Sequence, residues 1–122
     1  LLSNEEMGWI FQGSDYCLLT YRSIDHSGLI CQSLGLGVPV IAARVGTLPD
    51  YLQNGAGILF TPGDTDELAQ ILDNLDSFDR SRAKAFGLAI MRARSPERIG
   101  QRLVKIYEHR RGGSEPEKEW LF

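Results

Sequence analysis

YRSIDHSGLICQSLGLGVPVIA, residues 21–42, passes from a polar segment through Ser27-Gly28 into an apolar run with helical spacing. It then continues through Gly35-x-Gly37-x-Pro39 into a β-rich run. Residues 28–36 read as a helix and 39–42 as a strand. The preceding run Tyr16-Cys17-Leu18-Leu19-Thr20-Tyr21 lacks polar alternation, as expected of a parallel strand covered on both faces. Strand, helix, strand is a crossover unit, expected to be right-handed. Gly35 is expected to allow close helix–sheet approach, Gly37 to end the helix, and Pro39 to begin a strand where no ladder donor is needed.

Working outward, the same alternation continues. Upstream, Ser3 with Glu6 forms a capping box, and Met7, Ile10 and Phe11 give residues 4–12 a helical face that Gly13 stops. Downstream, Thr47 is placed to cap a short helix carrying Pro49, Tyr51 and Leu52, before a turn at Asn54-Gly55. Gly57–Phe60 is a third short strand. Asp64 with Glu67 opens a helix with the stripe Leu68, Ile71, Leu72 and Leu75. Phe86, Ala89, Ile90 and Ala93 mark another helix, and Ser95-Pro96 begins a last one whose Ile99, Leu103 and Ile106 are expected to face a core. Strands alternating with helices predict an α/β fold: a parallel sheet with flanking helices. We expect one domain over residues 1–111 and a disordered tail over 112–122, where no apolar stripe exists. Three strands are few for such a sheet, so further strand–helix units are expected to complete it.

Composition excludes several classes. Of 122 residues, 43% are apolar, enough for a compact core, yet no apolar run approaches the roughly 20 residues of a membrane span. Nothing resembles a signal peptide, and Cys17 and Cys31 sit in apolar runs that suit reduced thiols in a cytoplasmic setting. No metal-ligand spacing is present, and no cofactor is expected. The net charge of −3 conceals an asymmetry. Residues 1–77 carry ten acids against two bases, whereas residues 78–111 carry three against ten. Such a basic region can complement the acidic remainder or meet an anionic membrane surface peripherally. It lacks the interleaved aromatics of a nucleic-acid site, so no nucleic-acid partner is expected.

In an open α/β sheet, ligands bind outside the carboxyl ends of the strands, which singles out the loops after Tyr21 and after Ala42. A helix starting at Gly28 turns unpaired amides and the positive end of its dipole toward that edge. Ser27 is placed to cap it, and Gly28 lets a ligand approach the backbone. Gln32, four residues on, shares the face of Gly28 and can exchange hydrogen bonds with ligand hydroxyls. Asp25 and His26 stand just outside the turn. The competing reading makes Ser27-Gly28 a plain cap, Gln32 a solvated residue and Asp25-His26 a polar loop. Gly46 reads as a tight turn ahead of a surface pressed against a ligand, and Arg22 and Arg44 as structural or solvated ahead of phosphate contacts.

Three stretches in consistent order, SNEEMGWIFQGSDYCLLTY, SGLICQSLGLGVPVIAARVGTLPDYLQNGAGILFTPGDTDELAQIL and SPERIGQRLVKIY, cover most of residues 3–107. Together they resemble the carboxy-terminal part of a GT-B glycosyltransferase of the family-4 (group 1) type. The resemblance implies a partial Rossmann-like donor-binding domain. It also implies transfer of a glycosyl group from a nucleotide-activated sugar to an acceptor, such as a saccharide or lipid-linked saccharide, without a required metal. The acceptor is expected to be held by a missing amino-terminal domain, so this chain alone is expected to be inactive. The family pattern has two glutamates eight positions apart, which fall here on Ile24 and Gln32. Both acids are absent. Asp25 can stand in for the first only if the loop register shifts by one, and Gln32 retains a neutral donor and acceptor for ribose hydroxyls. The resemblance therefore implies donor contacts from Asp25, from the backbone of Ser27, Gly28 and Leu29, and from Gln32, with the catalytic residues unknown. Two other readings compete: a non-catalytic remnant or interaction module with a basic C-terminal helical region, and nucleotide-sugar epimerase chemistry, for which no acid/base set is present.

Overall fold

The computed structural model describes residues 2–52 and 55–111, with the backbone alone at Arg111. The expected tail at 112–122, and Asn54 of the expected turn, lie outside the described residues. The chain falls into two compact units, Leu1–Met91 and Arg92–Phe122.

The first unit is built on a parallel sheet in the order β1 (Cys17–Leu19), β2 (Val40–Ala43), β3 (Gly57–Phe60). Leu18 stands beside Ile41, and Ile41 beside Ile58. Alternate residues face opposite sides, so β2 and β3 each feed two separate cores. Leu19, Val40 and Ala42 pack on one side with Ile30 and Leu34 of α2 (Gly28–Gly35) and Leu48 and Leu52 of α3 (Leu48–Leu52). Ile41, Ala43 and Phe60 pack on the other with Leu68 and Ile71 of α4 (Thr65–Asp73) and with Leu75 of the 3-10 turn that follows. All four residues of β2 are buried, as the central strand of a sheet covered on both faces requires.

The local signals form as read. In α1 (Asn4–Gln12) the Ser3 hydroxyl accepts from the Glu6 amide, and the Glu6 carboxylate accepts from the Ser3 amide at 2.8 Å. That backbone bond holds the Glu6 carboxyl below the usual carboxylate range. Asp64 accepts from the Glu67 amide at 2.8 Å and so caps α4. Gly37, with φ +76°, lets the chain leave α2.

Four expectations about faces are corrected. Leu18 is 45% exposed, because β1 is an edge strand and its outer flank lacks the cover that α4 gives β2 and β3. Leu72 is exposed too: Leu68, Ile71 and Leu75 already fill the side of α4 that meets the sheet. Gly35 is not a close-approach glycine, since a Cβ there would meet nothing within 4 Å. That role belongs to Gly87 of α5 (Arg80–Ala93), whose missing Cβ would lie 3.0 Å from Leu34 Cδ2. In the second unit, Ser95 Oγ accepts from the Arg98 amide at the start of α6 (Pro96–Arg111), as a cap should. The stripe of that helix is not buried, however. Ile99, Leu103, Val104 and Tyr107 are exposed and Ile106 is half-buried.

Candidate functional site at the strand ends

The carboxyl ends of β1 and β2 open into two loops, 20–27 and 44–47, and main-chain geometry binds these loops together. Gly46 adopts φ +52°, and a Cβ there would overlap the Ile24 carbonyl oxygen and sit 2.9 Å from that of Asp25. Only glycine lets the loops approach this closely. Thr47 completes the clamp. Its amide donates to the Asp25 carbonyl at 3.2 Å, and its hydroxyl donates to the same oxygen at 2.9 Å. The hydroxyl oxygen also lies 3.4 Å from Nδ1 of His26. The Thr47 hydroxyl proton is therefore spent on the neighbouring loop. Sequence spacing pointed to neither role, because the partners lie 21 and 22 positions away.

The clamp leads directly into α2. Ser27 occupies the N-cap position with extended backbone (φ −131°, ψ 120°), but its side chain makes no capping hydrogen bond. This corrects the expected role of Ser27 as a side-chain cap. Its consequence is chemical: the first-turn amides are left to other acceptors, at the positive end of the helix. Gly28 is exposed, and nothing lies within 4 Å of the place where its Cβ would stand. A ligand atom can reach the backbone there without displacing a side chain.

The other sequence-derived candidates distribute around this turn. Leu29 is half-buried against the core that holds α2 to the sheet, so its side chain anchors while its amide belongs to the first turn. Gln32 is exposed one turn further along. Asp25 is exposed, and the structure uses its carbonyl in the clamp. Asp25, Ser27, Gly28, Leu29 and Gln32 are thus carried by one loop and the first turn and a half of one helix. His26, Gly46 and Thr47 join them. Arg22 and Arg44 are both exposed. Among the described residues no group of three or more His, Cys, Asp or Glu is placed to hold a metal ion, and no helix is long and apolar enough to cross a membrane.

A cavity of about 530 Å³ lies at the opposite edge of the sheet, between residues 12–15, residues 36–39 and the start of α5. Arg80, one of its two cations, is already engaged structurally. Arg80 pairs with Asp15 and stacks over the Tyr16 ring, and the Lys84 stem lies over Gly37. The strand-end turn, with uncapped amides and an open glycine, is chemically the stronger candidate.

Cys17 and Cys31 are free thiols, both half-buried. Burial pushes the Cys17 thiol up, so it remains protonated, and no nucleophilic role follows for it.

No family model matches the chain. A similarity is found to the sulfoquinovosyl transferase SQD2 of Arabidopsis thaliana, 29% identical over 92 residues. The match covers 72% of this chain and 18% of that protein, so the chain spans under a fifth of the curated relative's length. A distant likeness to a glycosyltransferase thus accompanies a partial Rossmann-like α/β sheet.

Proposed function

We propose that this chain supplies donor-binding elements of a glycosyltransferase of the GT-B, family-4 (group 1) type, one that uses a nucleotide-activated sugar. The observation that carries the reading is the start of α2, whose first turn is uncapped by Ser27, opens at Gly28 and lies at the carboxyl edge of a parallel sheet. The likeness to a sulfoquinovosyl transferase supports the same class. The first-turn amides of α2 take the anionic part of the donor, and Gln32 exchanges hydrogen bonds with a donor hydroxyl. The acceptor, a saccharide or lipid-linked saccharide, is held by a further domain, and the protein works in the cytoplasm, peripherally at a membrane.

Titration calorimetry with UDP, ADP and GDP on the longest polypeptide that carries this sequence tests the reading. One nucleotide is expected to bind, and Gln32→Ala to weaken it about 2-fold to 10-fold, the loss of one or two hydrogen bonds. Unchanged affinity removes Gln32 from the site; no binding by any of the three removes the donor-binding function.

A second reading, a non-catalytic interaction module, is favoured by α6. Its exposed Ile99, Leu103 and Tyr107 run along one side while Arg98, Arg102 and Lys105 lie on another, the pattern of a helix that rests on an anionic membrane. Co-sedimentation with phosphatidylserine vesicles is expected to fall steeply between low and high salt if this reading holds. Salt-independent recovery, or none, removes it.

A further inference from the structure

We propose that the cavity at the amino-terminal edge of the sheet is a second ligand site, which takes a small phosphorylated polyol and holds its phosphate with Lys84. The site is independent of the donor-binding reading: residues 12–15 and 36–39 precede β1 and β2, whereas the strand-end turn follows them. At about 530 Å³ the cavity falls within the roughly 300–1,000 Å³ usual for small-molecule sites. Gln12, Ser14, Asp15, Arg80, Ser81 and Lys84 line it, so its occupant is polar.

Lys84 carries the inference. It forms no ion pair and no side-chain hydrogen bond among the described residues, although Arg80, one turn earlier on the same face of α5, is paired with Asp15. Its stem is nevertheless held. Gly37 has φ +76°, and a Cβ there would lie 2.7 Å from Lys84 Cε, 3.0 Å from Cγ and 3.2 Å from Cδ. The methylenes rest on bare backbone, so the ammonium lines the cavity with part of its rotamer freedom already given up. Main-chain donors nearby are spent. Asp79 accepts from the Arg82 amide at 2.9 Å, and the Gly37 and Val38 amides donate to the carbonyls of Leu34 and Ser33. Binding therefore falls to side chains.

The side chains divide by chemistry between two walls. On α5, Lys84, Ser81 and the guanidinium N–H groups that Asp15 does not take are donors, and two cations against one carboxylate leave the cavity net positive. That wall suits a phosphate. On the other wall the Ser14 hydroxyl donates its proton to the Ile10 carbonyl at 2.7 Å, so its oxygen can only accept, as can the second Asp15 oxygen. Acceptors beside a carboxylate call for hydroxyl groups and repel a further anion. One phosphate against α5, with polyol hydroxyls toward residues 14–15, satisfies both walls.

The test is nitrogen-15 amide spectroscopy of the whole chain, titrated at constant ionic strength with ribose 5-phosphate, inorganic phosphate and ribose. Ribose 5-phosphate is expected to shift the Ser14, Gly37 and Ser81 amides to saturation, and phosphate to do so with lower affinity. Ribose alone is expected to shift none of them. Lys84→Met, which keeps the stem over Gly37, is expected to raise Kd for ribose 5-phosphate about 3-fold to 10-fold, the loss of one charge-assisted hydrogen bond at an exposed site. Arg102→Met removes the same charge from α6 and is expected to leave Kd unchanged. Equal losses in both variants, an unmoved Kd in Lys84→Met, or shifts confined to α6 overturn the proposal. Ribose 5-phosphate no tighter than inorganic phosphate overturns the polyol assignment. Shifts of Gly28 and Leu29 by UDP, with the cavity amides unmoved by ribose 5-phosphate, overturn this site and leave the donor-binding reading standing.

Discussion

Gly46→Ala is expected to destabilise the chain by about 2–4 kcal/mol and to disrupt the strand-end site at the same time. Two separate costs meet at this position. The left-handed backbone at φ +52° is one, on the order of 1 kcal/mol or more for a side-chain-bearing residue. Steric overlap is the other, and it is the larger, because the atoms a Cβ would meet are the carbonyls of Ile24 and Asp25. Backbone cannot swing aside as the end of a side chain can. The 22–27 loop would have to move, losing both Thr47 bonds to the Asp25 carbonyl. Gly63 provides the control: its φ is +83°, but nothing lies within 4 Å of where its Cβ would stand. Gly63→Ala should therefore carry only the conformational cost, about 1 kcal/mol. Urea unfolding of both variants, at unchanged m value, measures the difference. Equal losses would mean that Gly46 serves only its own turn and clamps nothing.

The contrast between these glycines also shows which parts of the structure were legible in sequence. Features closed within a few residues could be read directly. Ser3-x-x-Glu6 and Asp64-x-x-Glu67 specify helix starts because each side chain finds its amide three positions away. Gly37 specifies a helix end for a similarly local reason, and Gly57–Phe60 reads as a strand bounded by turns. Features that depend on what lies across the sheet could not be read this way. An apolar run such as Tyr16–Tyr21 fits a strand, but only the strand order shows that β1 is an edge and that Leu18 is left exposed. Gly35 and Gly87 are both helical glycines, and only the packing shows which of them admits a neighbour.

The site divides in the same manner. Ser27-Gly28, Leu29 and Gln32 follow one another on a loop and one helix, so a strand-end turn with an exposed amide edge was visible in the residue order. The clamp was not. It joins residues 24–26 to Gly46 and Thr47, and it exists because consecutive parallel strands bring consecutive loops side by side. Thr47 before a short helix looks like a cap on local grounds, and its hydroxyl has no reason to go elsewhere until the neighbouring carbonyl is seen. Side-chain capping by Ser27 failed for the complementary reason. Local preference allows that bond, yet the structure leaves the turn without it.

The attachment of α2 to the sheet governs where that turn is held, and Leu34 is among its most buried contacts. Leu34 is 1% exposed and shares one cluster with Leu19, Ile30, Val40, Ala42, Leu48, Leu52 and Ala56. Leu34→Ala is expected to cost about 3–4 kcal/mol, the lost transfer energy plus the cavity left behind. The cavity should persist, because its wall opposite Leu34 is the backbone of α5 at Gly87, which side-chain rotation cannot bring closer. In the wild type, alanine at Gly87 places a methyl 3.0 Å from Leu34 Cδ2, and the crowding offsets the gain in helix propensity of about 1 kcal/mol. In the Leu34→Ala background the same methyl enters vacated space and its full benefit appears. The double-mutant cycle should therefore show a favourable coupling of about 1 kcal/mol. Additive effects in urea unfolding would place Gly87 out of contact with Leu34 and leave the glycine without a packing role.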